Sequence, residues 1–373
     1  MVLLPASGNN VHWFAQREHR DRRRNQLDLL FFSRGRGRGH AIPDIAIMEA
    51  LRALDDKVNW QFVSYGTGAS TLSEFGYDVV DLELPDENPF FETGIRASGV
   101  IRRLSPRLVV SHEEFAALTA ARIHTLPAIF ITDWFMDEND MRMQTLASVE
   151  GVLFLGDQGV FDEPSYLEQK VEYIGPVVRD FEYHIQDRER ARQELGMGED
   201  ITVVAVLPGG WATEKRAPLF DLLLPAFLEL KMAKKLLFWV AGDDCEKLMN
   251  RTKGIPEVRI VKKLWPIEQL MVASDLVVTK GNRVTVMEAS QLGVRSISLS
   301  YGMNPVEDLI VPRIKTNEVL GIRGITSSLL ASRMEHVLRS RDRVRTPERT
   351  APRAASVAKI LLVTMAKLGI LYR

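Results

Sequence analysis

The residues best suited to chemistry gather at two glycine-rich turns and one later segment. Residues 31–44 read FFSRGRGRGHAIPD, in which Gly35, Gly37 and Gly39 alternate with arginines and lead into His40. A strand-to-helix turn built of glycine brings backbone N–H groups and the positive end of a helix against an anion. Glycine permits the sharp turn and leaves no side chain in the way. The stretch ITVVAVLPGG (201–210) ends in a second such turn, at Gly209 and Gly210. His40 at the helix start can act as a base or as a hydroxyl or anion donor. It can equally cap or pack the helix.

The third segment, SDLVVTKGNRVTVMEASQLGVRSISLS (274–300), runs from a strand into a turn at Lys280, Gly281 and Asn282, then into a helix carrying Glu288. A carboxylate beside a crevice at strand ends can accept both hydroxyls of a ribose. On an ordinary surface helix it would only be solvated.

The spacing argues against common alternatives. Gly-x-Gly-x-Gly is not the dinucleotide fingerprint, and the second strand ends in SYGTG, without the acid that grips a ribose there. Neither loop ends in the Lys-Ser/Thr of a P-loop. RNA-binding Arg-Gly segments are longer and disordered, whereas this one is wedged between core-like elements. No dense Asp-x-Asp element stands out, so no metal is expected.

These turns need strands and helices to hold them. Short apolar runs at 27–33, 58–65, 107–111, 127–132 and 151–156 read as strands, with a helix over 42–54. A fresh start at 201–210 opens a second series: helix 217–233, strands 235–242 and 258–262, helix 266–273, strand 275–280, helix 284–292 and strand 294–300. Alternation of this kind marks an α/β fold with parallel sheets. The expected organisation is a basic extension (1–26), a Rossmann-like domain (27–178), a second Rossmann-like domain (179–340), and a linker with an apolar-rich helix (341–373) packing back on the body.

The chain has 373 residues, 48 Lys and Arg against 49 Asp and Glu, and one cysteine. Balanced charge argues against nucleic-acid binding. The single cysteine fits a reducing compartment, and no run approaches the length of a membrane span. A cytoplasmic protein is expected. The basic start, IRRLSPR (101–107) and the tail are available to touch a membrane surface.

Taken in order, GRGRGHAIPDIAIMEALRAL, IGPVVRDF, AVLPGGWATEK and KLWPIEQLMVASDLVVTKGNRVTVMEASQLGVRSISLS resemble four motifs of the two-domain (GT-B) nucleotide-sugar glycosyltransferases. The resemblance is to the type of the peptidoglycan lipid-linked N-acetylglucosaminyltransferase, glycosyltransferase family 28. It covers most of residues 28–340. It implies an inverting, metal-independent hexosyl or N-acetylhexosaminyl transfer, without a cofactor, from a uridine diphosphate sugar to a lipid or saccharide hydroxyl. By motif position Gly37, Gly39, Gly209 and Gly210 approach the diphosphate. Leu264 and Trp265 lie by the base, and Glu288 holds the ribose. Residues 280–285, including Gly281, Asn282, Arg283 and Thr285, face the phosphates. His40 lies near the acceptor hydroxyl.

Asp133, after the strand 127–132, is a second candidate base, or else a helix cap. Glu113 and Glu114 read as capping or solvated residues. The chain departs from the family after SLSYG. There Asn304, Glu307 and Asp308 stand where an Asp/Asn-Gln pair reads the sugar hydroxyls. A nucleotide-sugar hydrolase or 2-epimerase, or a non-catalytic sugar-nucleotide-binding protein, are the alternatives.

Overall fold

In the computed structural model the described residues are 26–87, 90–136, 139–167, 169–209, 218–302, 309–340 and 353–371. Gly210, Asn304, Glu307, Asp308, the basic extension and the tail linker lie outside them.

The first half forms a seven-stranded sheet in the order β3-β2-β1-β4-β5-β6-β7. Its strands are β1 Leu29–Ser33, β2 Trp60–Ser64, β3 Val79–Asp81, β4 Leu108–His112, β5 Ala128–Thr132, β6 Gly151–Phe154 and β7 Val171–Tyr173. Every pairing is parallel. Strands β1, β4 and β5 are buried throughout. A parallel sheet covered on both faces demands such continuous apolar runs. The second half forms a six-stranded sheet in the order β10-β9-β8-β11-β12-β13. Here β8 is Thr202–Val206, β9 Lys235–Val240, β10 Val258–Val261, β11 Leu276–Thr279, β12 Ser296–Ser300 and β13 Asn317–Gly321. These pairings are parallel too.

Both strand orders reverse at the first strand of the half, β1 and β8. A crevice opens outside the strand C-termini at such a switch point. Ser33 of β1 pairs with His112 of β4, and His112 with Ile131 of β5. The residues that follow these strands, Arg34–His40, Glu113 and Asp133, therefore emerge along one edge. The helices that follow the glycine-bearing turns are α1 (Ala41–Leu54) after β1 and α2 (Gly66–Glu74) after β2.

Several elements went unread in the sequence, among them α2 and the helices Phe115–Ile123 and Cys245–Arg251. Strand β3 is only three residues long. Helix α3 (Phe90–Leu104) carries Gly94 and Gly99, which lower helix propensity by about 1 kcal/mol each. Also unread were β13 and the helix Ser327–Arg339. The helix expected over 217–233 is the shorter Phe220–Glu229, with Pro225 inside it.

The C-terminal helix Arg353–Lys367 does return to the body. Its Val357, Ala358, Leu361 and Met365 are buried in one core with Ile47 and Leu51 of α1. Arg107 fastens the helix end, donating to the carbonyls of Gly369 (2.6 Å) and Ile370 (2.5 Å). The last helix of the chain thus completes the core of the first domain.

Candidate active site

A cleft of about 430 Å³ lies between the two sheets. The first domain contributes Arg38, Gly39 and Glu74, and the second Gly209, Trp265 and Glu288. Leu264, Asn282 and Thr285 line it as well. Seven residues singled out in the sequence, some by their glycine turns and others only through the family resemblance, therefore meet in one hollow, although they span more than two hundred positions of chain.

Local conformation explains several of them. Gly209 has φ 85, and a Cβ there would stand 2.5 Å from Asn282 Nδ2. The positive φ favours glycine here, and any larger residue would also have to displace the Asn282 side chain. Asn282 is the N-cap of helix α4 (Arg283–Gln291), and its side chain accepts from Thr285 N at 3.5 Å. Asn282, Val284 and Thr285 of that helix start line the cleft, and a helix N-terminus is a favourable place for an anion. Gly281, at φ 78, shapes the turn before it but does not line the hollow.

Gly37 departs from expectation. Its N–H donates to Asp86 Oδ2 at 3.4 Å. The same carboxylate accepts from Thr67 N and Thr67 Oγ1, each at 2.7 Å. Asp86 is thus an internal anion against the first loop, and Gly39 rather than Gly37 reaches the cleft.

Glu288 sits on α4, 5% exposed. Arg179, from the segment between the domains, donates Nε to Glu288 Oε1 at 3.1 Å. Its Nη1 and Nη2 donate to Glu268 at 3.0 and 2.5 Å. The guanidinium also lies 4.5 Å from the Trp265 ring. Burial pushes the Glu288 carboxyl up to about 7, Glu268 adds to the rise, and Arg179 opposes it. Phe75 of the first domain meets Trp265 edge-on at 4.7 Å. Glu74 accepts from Arg38 at 2.9 Å and pairs with Lys263 across the cleft at 2.8 Å.

His40 and Asp133 lie beside the cleft rather than in its lining. His40 is the N-cap position of α1 but makes no side-chain capping bond. Its Nε2 stands 2.9 Å from Glu113 Oε2. Glu113 was expected to be solvated or capping; instead it is 4% exposed and faces His40. The reason is its backbone: φ 54 turns the chain inward just after β4, a conformation that carries strain for a non-glycine residue. Arg34 Nη1 (3.3 Å) and Thr132 Oγ1 (3.0 Å) also donate to it. Burial works against its charge, but His40, Arg34 and His112 outweigh that and hold its carboxyl well below the usual range. Glu114 does cap, accepting from Ala116 N at 3.3 Å.

Behind this pair His112 bonds through Nδ1 to Asp44 Oδ1 at 2.6 Å, and its ring meets His40 edge-on at 4.9 Å. Asp133 caps no helix among the described residues; it pairs with Arg283 at 2.6 Å. Burial raises its carboxyl, and Arg283 works against the rise. His40, His112 and Glu113 bring one ligating atom each within 4.8 Å. The guanidinium of Arg34, 3.3 Å from Glu113 Oε2, already sets a positive charge beside that group.

Sequence reasoning passed over Arg179, Arg34 and Asp86. A salt bridge between residues 179 and 268 leaves no local spacing signal. Asp86 sits in an irregular stretch with no periodic pattern.

No protein-family model matches the chain. It is 26% identical over 242 residues to an uncharacterized glycosyltransferase of Methanopyrus kandleri, covering 62% of this chain and 67% of that protein. Among solved structures it resembles MurG of Acinetobacter baumannii, with TM-score 0.60, 12% identity and coverage of 90% of this chain and 99% of that one. It also resembles the UDP-GlcNAc 2-epimerase of Methanocaldococcus jannaschii, with TM-score 0.61, 14% identity and coverage of 90% and 99%. The two parallel-sheet domains have the GT-B glycosyltransferase fold.

Proposed function

We propose that this protein transfers a hexose or N-acetylhexosamine from a uridine diphosphate sugar to a hydroxyl of a lipid or saccharide, with inversion and without a metal. One observation carries the reading. A single interdomain cleft brings together the Gly209 turn, the start of α4 and Glu288, with the His40–Glu113 pair at its side.

Each part has a role in transfer. Glu288, steadied by Arg179, accepts the ribose hydroxyls, and Trp265 flanks the base. Amides at Gly209 and at the start of α4 face the diphosphate. As the sugar–phosphate bond breaks, the leaving group gains charge and the anomeric carbon becomes oxocarbenium-like. Fixed N–H dipoles stabilise that charge more than the ground state. The acceptor hydroxyl attacks the opposite face and gives its proton to His40, whose imidazolium Glu113 stabilises. The test is turnover of uridine diphosphate sugars with candidate acceptors. A glycoside of inverted anomeric configuration supports the reading. Free sugar with and without acceptor, or a 2-epimer, overturns it.

One observation favours the second reading, a hydrolase or 2-epimerase. Two sheltered carboxylates, Glu113 and Asp133, flank the cleft at adjacent strand ends. Such a pair suits removal and return of a proton on the sugar itself.

A lipid acceptor would place the protein on a membrane surface. No helix among the described residues is long and apolar enough to cross one. Helix α3, however, exposes Phe91 (73%) and Ile95 (74%), with Arg102 and Arg103 further along the exposed side. Binding to anionic vesicles that weakens with salt would support this contact.

A further inference from the structure

Arg283 is the first residue of α4, in the segment whose backbone faces the cleft. Its side chain leaves that cleft for the other domain. It donates to the carbonyl of Leu155 at 3.0 Å and pairs with Asp133 at 2.6 Å. The residue is 7% exposed, and its Nε is buried without a partner.

Asp133 does not stand alone. Its backbone N–H donates to Glu113 Oε1 at 3.4 Å, and Glu113 Oε2 bonds His40. One chain of contacts therefore runs from the donor-side helix through Arg283, Asp133 and Glu113 to His40. Arg283 belongs to one domain and its partners to the other, so the chain is complete only while the cleft is closed. Sheltered from water, a charge-assisted pair is far stronger than at the surface. The Asp133 side chain is 18% exposed, and a largely sheltered carboxylate left without its cation is costly.

The geometry points to Arg283 as a positioning residue: it spans the cleft to hold Asp133, and through it the Glu113–His40 pair, in register with the helix that faces the donor phosphates. This rests on the transfer reading above. Arg283 touches the acceptor-side carboxylate rather than the donor, so it acts on turnover and not on nucleotide affinity.

The test uses the full chain and four variants: Arg283→Met, Arg283→Lys, Asp133→Asn and the double Arg283→Met/Asp133→Asn, each checked for fold by circular dichroism. Arg283→Met is expected to lower kcat about 100-fold while the Kd for uridine diphosphate, read by calorimetry, changes less than about threefold. Arg283→Lys recovers part of the loss. The double variant is no worse than Arg283→Met alone, because both changes cut one tie. A tenfold or larger loss of nucleotide affinity in Arg283→Met would make it a phosphate ligand and overturn the proposal. So would independent, multiplying losses in the double variant.

Small-angle scattering of the unliganded protein provides a readout that needs no turnover. Arg283→Met and Asp133→Asn should each enlarge the radius of gyration, and an unchanged value in both overturns the tie. If the wild type neither binds nor consumes a nucleotide sugar, the transfer reading fails, and scattering still decides whether Arg283 holds the domains.

Discussion

Arg179 reaches from the segment between the domains and donates Nε to Glu288 at 3.1 Å, while its other nitrogens grip Glu268. The carboxylate proposed to hold the ribose is thus the one whose charge the interdomain segment supports.

Removing that cation leaves two buried acids, Glu268 and Glu288, facing each other. Breaking a buried pair of this kind costs about 3–5 kcal/mol. Arg179→Ala should lose stability on that scale in urea unfolding, with an unchanged m-value, and should bind uridine diphosphate at least tenfold more weakly. Arg179→Lys should fall between, since an ammonium cannot serve both acids with the same fork. A variant as stable as wild type would remove Arg179 from this role.

The raised carboxyl of Glu288 gives two opposite pH dependences. An acid whose folded pKa, about 7, exceeds its unfolded value of 4.5 holds its proton longer in the native state. Native protein then binds more protons than unfolded chain between those values, so this group's contribution to stability falls as pH rises from about 4.5 to about 7. Binding runs the other way. The ionised carboxylate is the better hydroxyl acceptor, so affinity for a uridine diphosphate sugar should rise between pH 6 and 8 and then level off. Glu288→Gln should flatten both profiles, by melting temperature and by calorimetry. A binding profile of the same slope in Glu288→Gln would show that another group titrates.

His40 and Glu113 should separate chemistry from binding. His40→Ala and Glu113→Gln are each expected to lower kcat by about 10²–10⁴, with the Kd for uridine diphosphate nearly unchanged, because neither lines the donor cleft. Burst and steady-state kinetics check this. A loss confined to KM would place His40 on the donor instead.

How much of this was legible follows from the physics of each part. The buried parallel strands announce themselves through apolar runs such as LLFFS and AIFIT. The turns announce themselves through glycine, because Gly209 has φ 85, a backbone conformation that strains other residues, and lies close against Asn282. Glu288 was legible through its offset from the Lys280–Asn282 turn. Pairings between distant residues were not. The partnership of Glu113 with His40 depends on β1 and β4 lying side by side, and on an inward-turned backbone at Glu113. Neither leaves a mark in local sequence. Gly37 shows the converse: its glycine was legible, but the anion it meets is Asp86 of this same chain.

The central claim is that the interdomain cleft holds a nucleoside diphosphate against the Gly209 turn. Calorimetric titration of uridine diphosphate into wild type and Gly209→Val tests it most directly. The expected result is one site per chain in wild type and loss of binding in the variant, whose Cβ would stand 2.5 Å from Asn282 Nδ2. No heat with wild type, or equal affinity in a folded Gly209→Val, would contradict it.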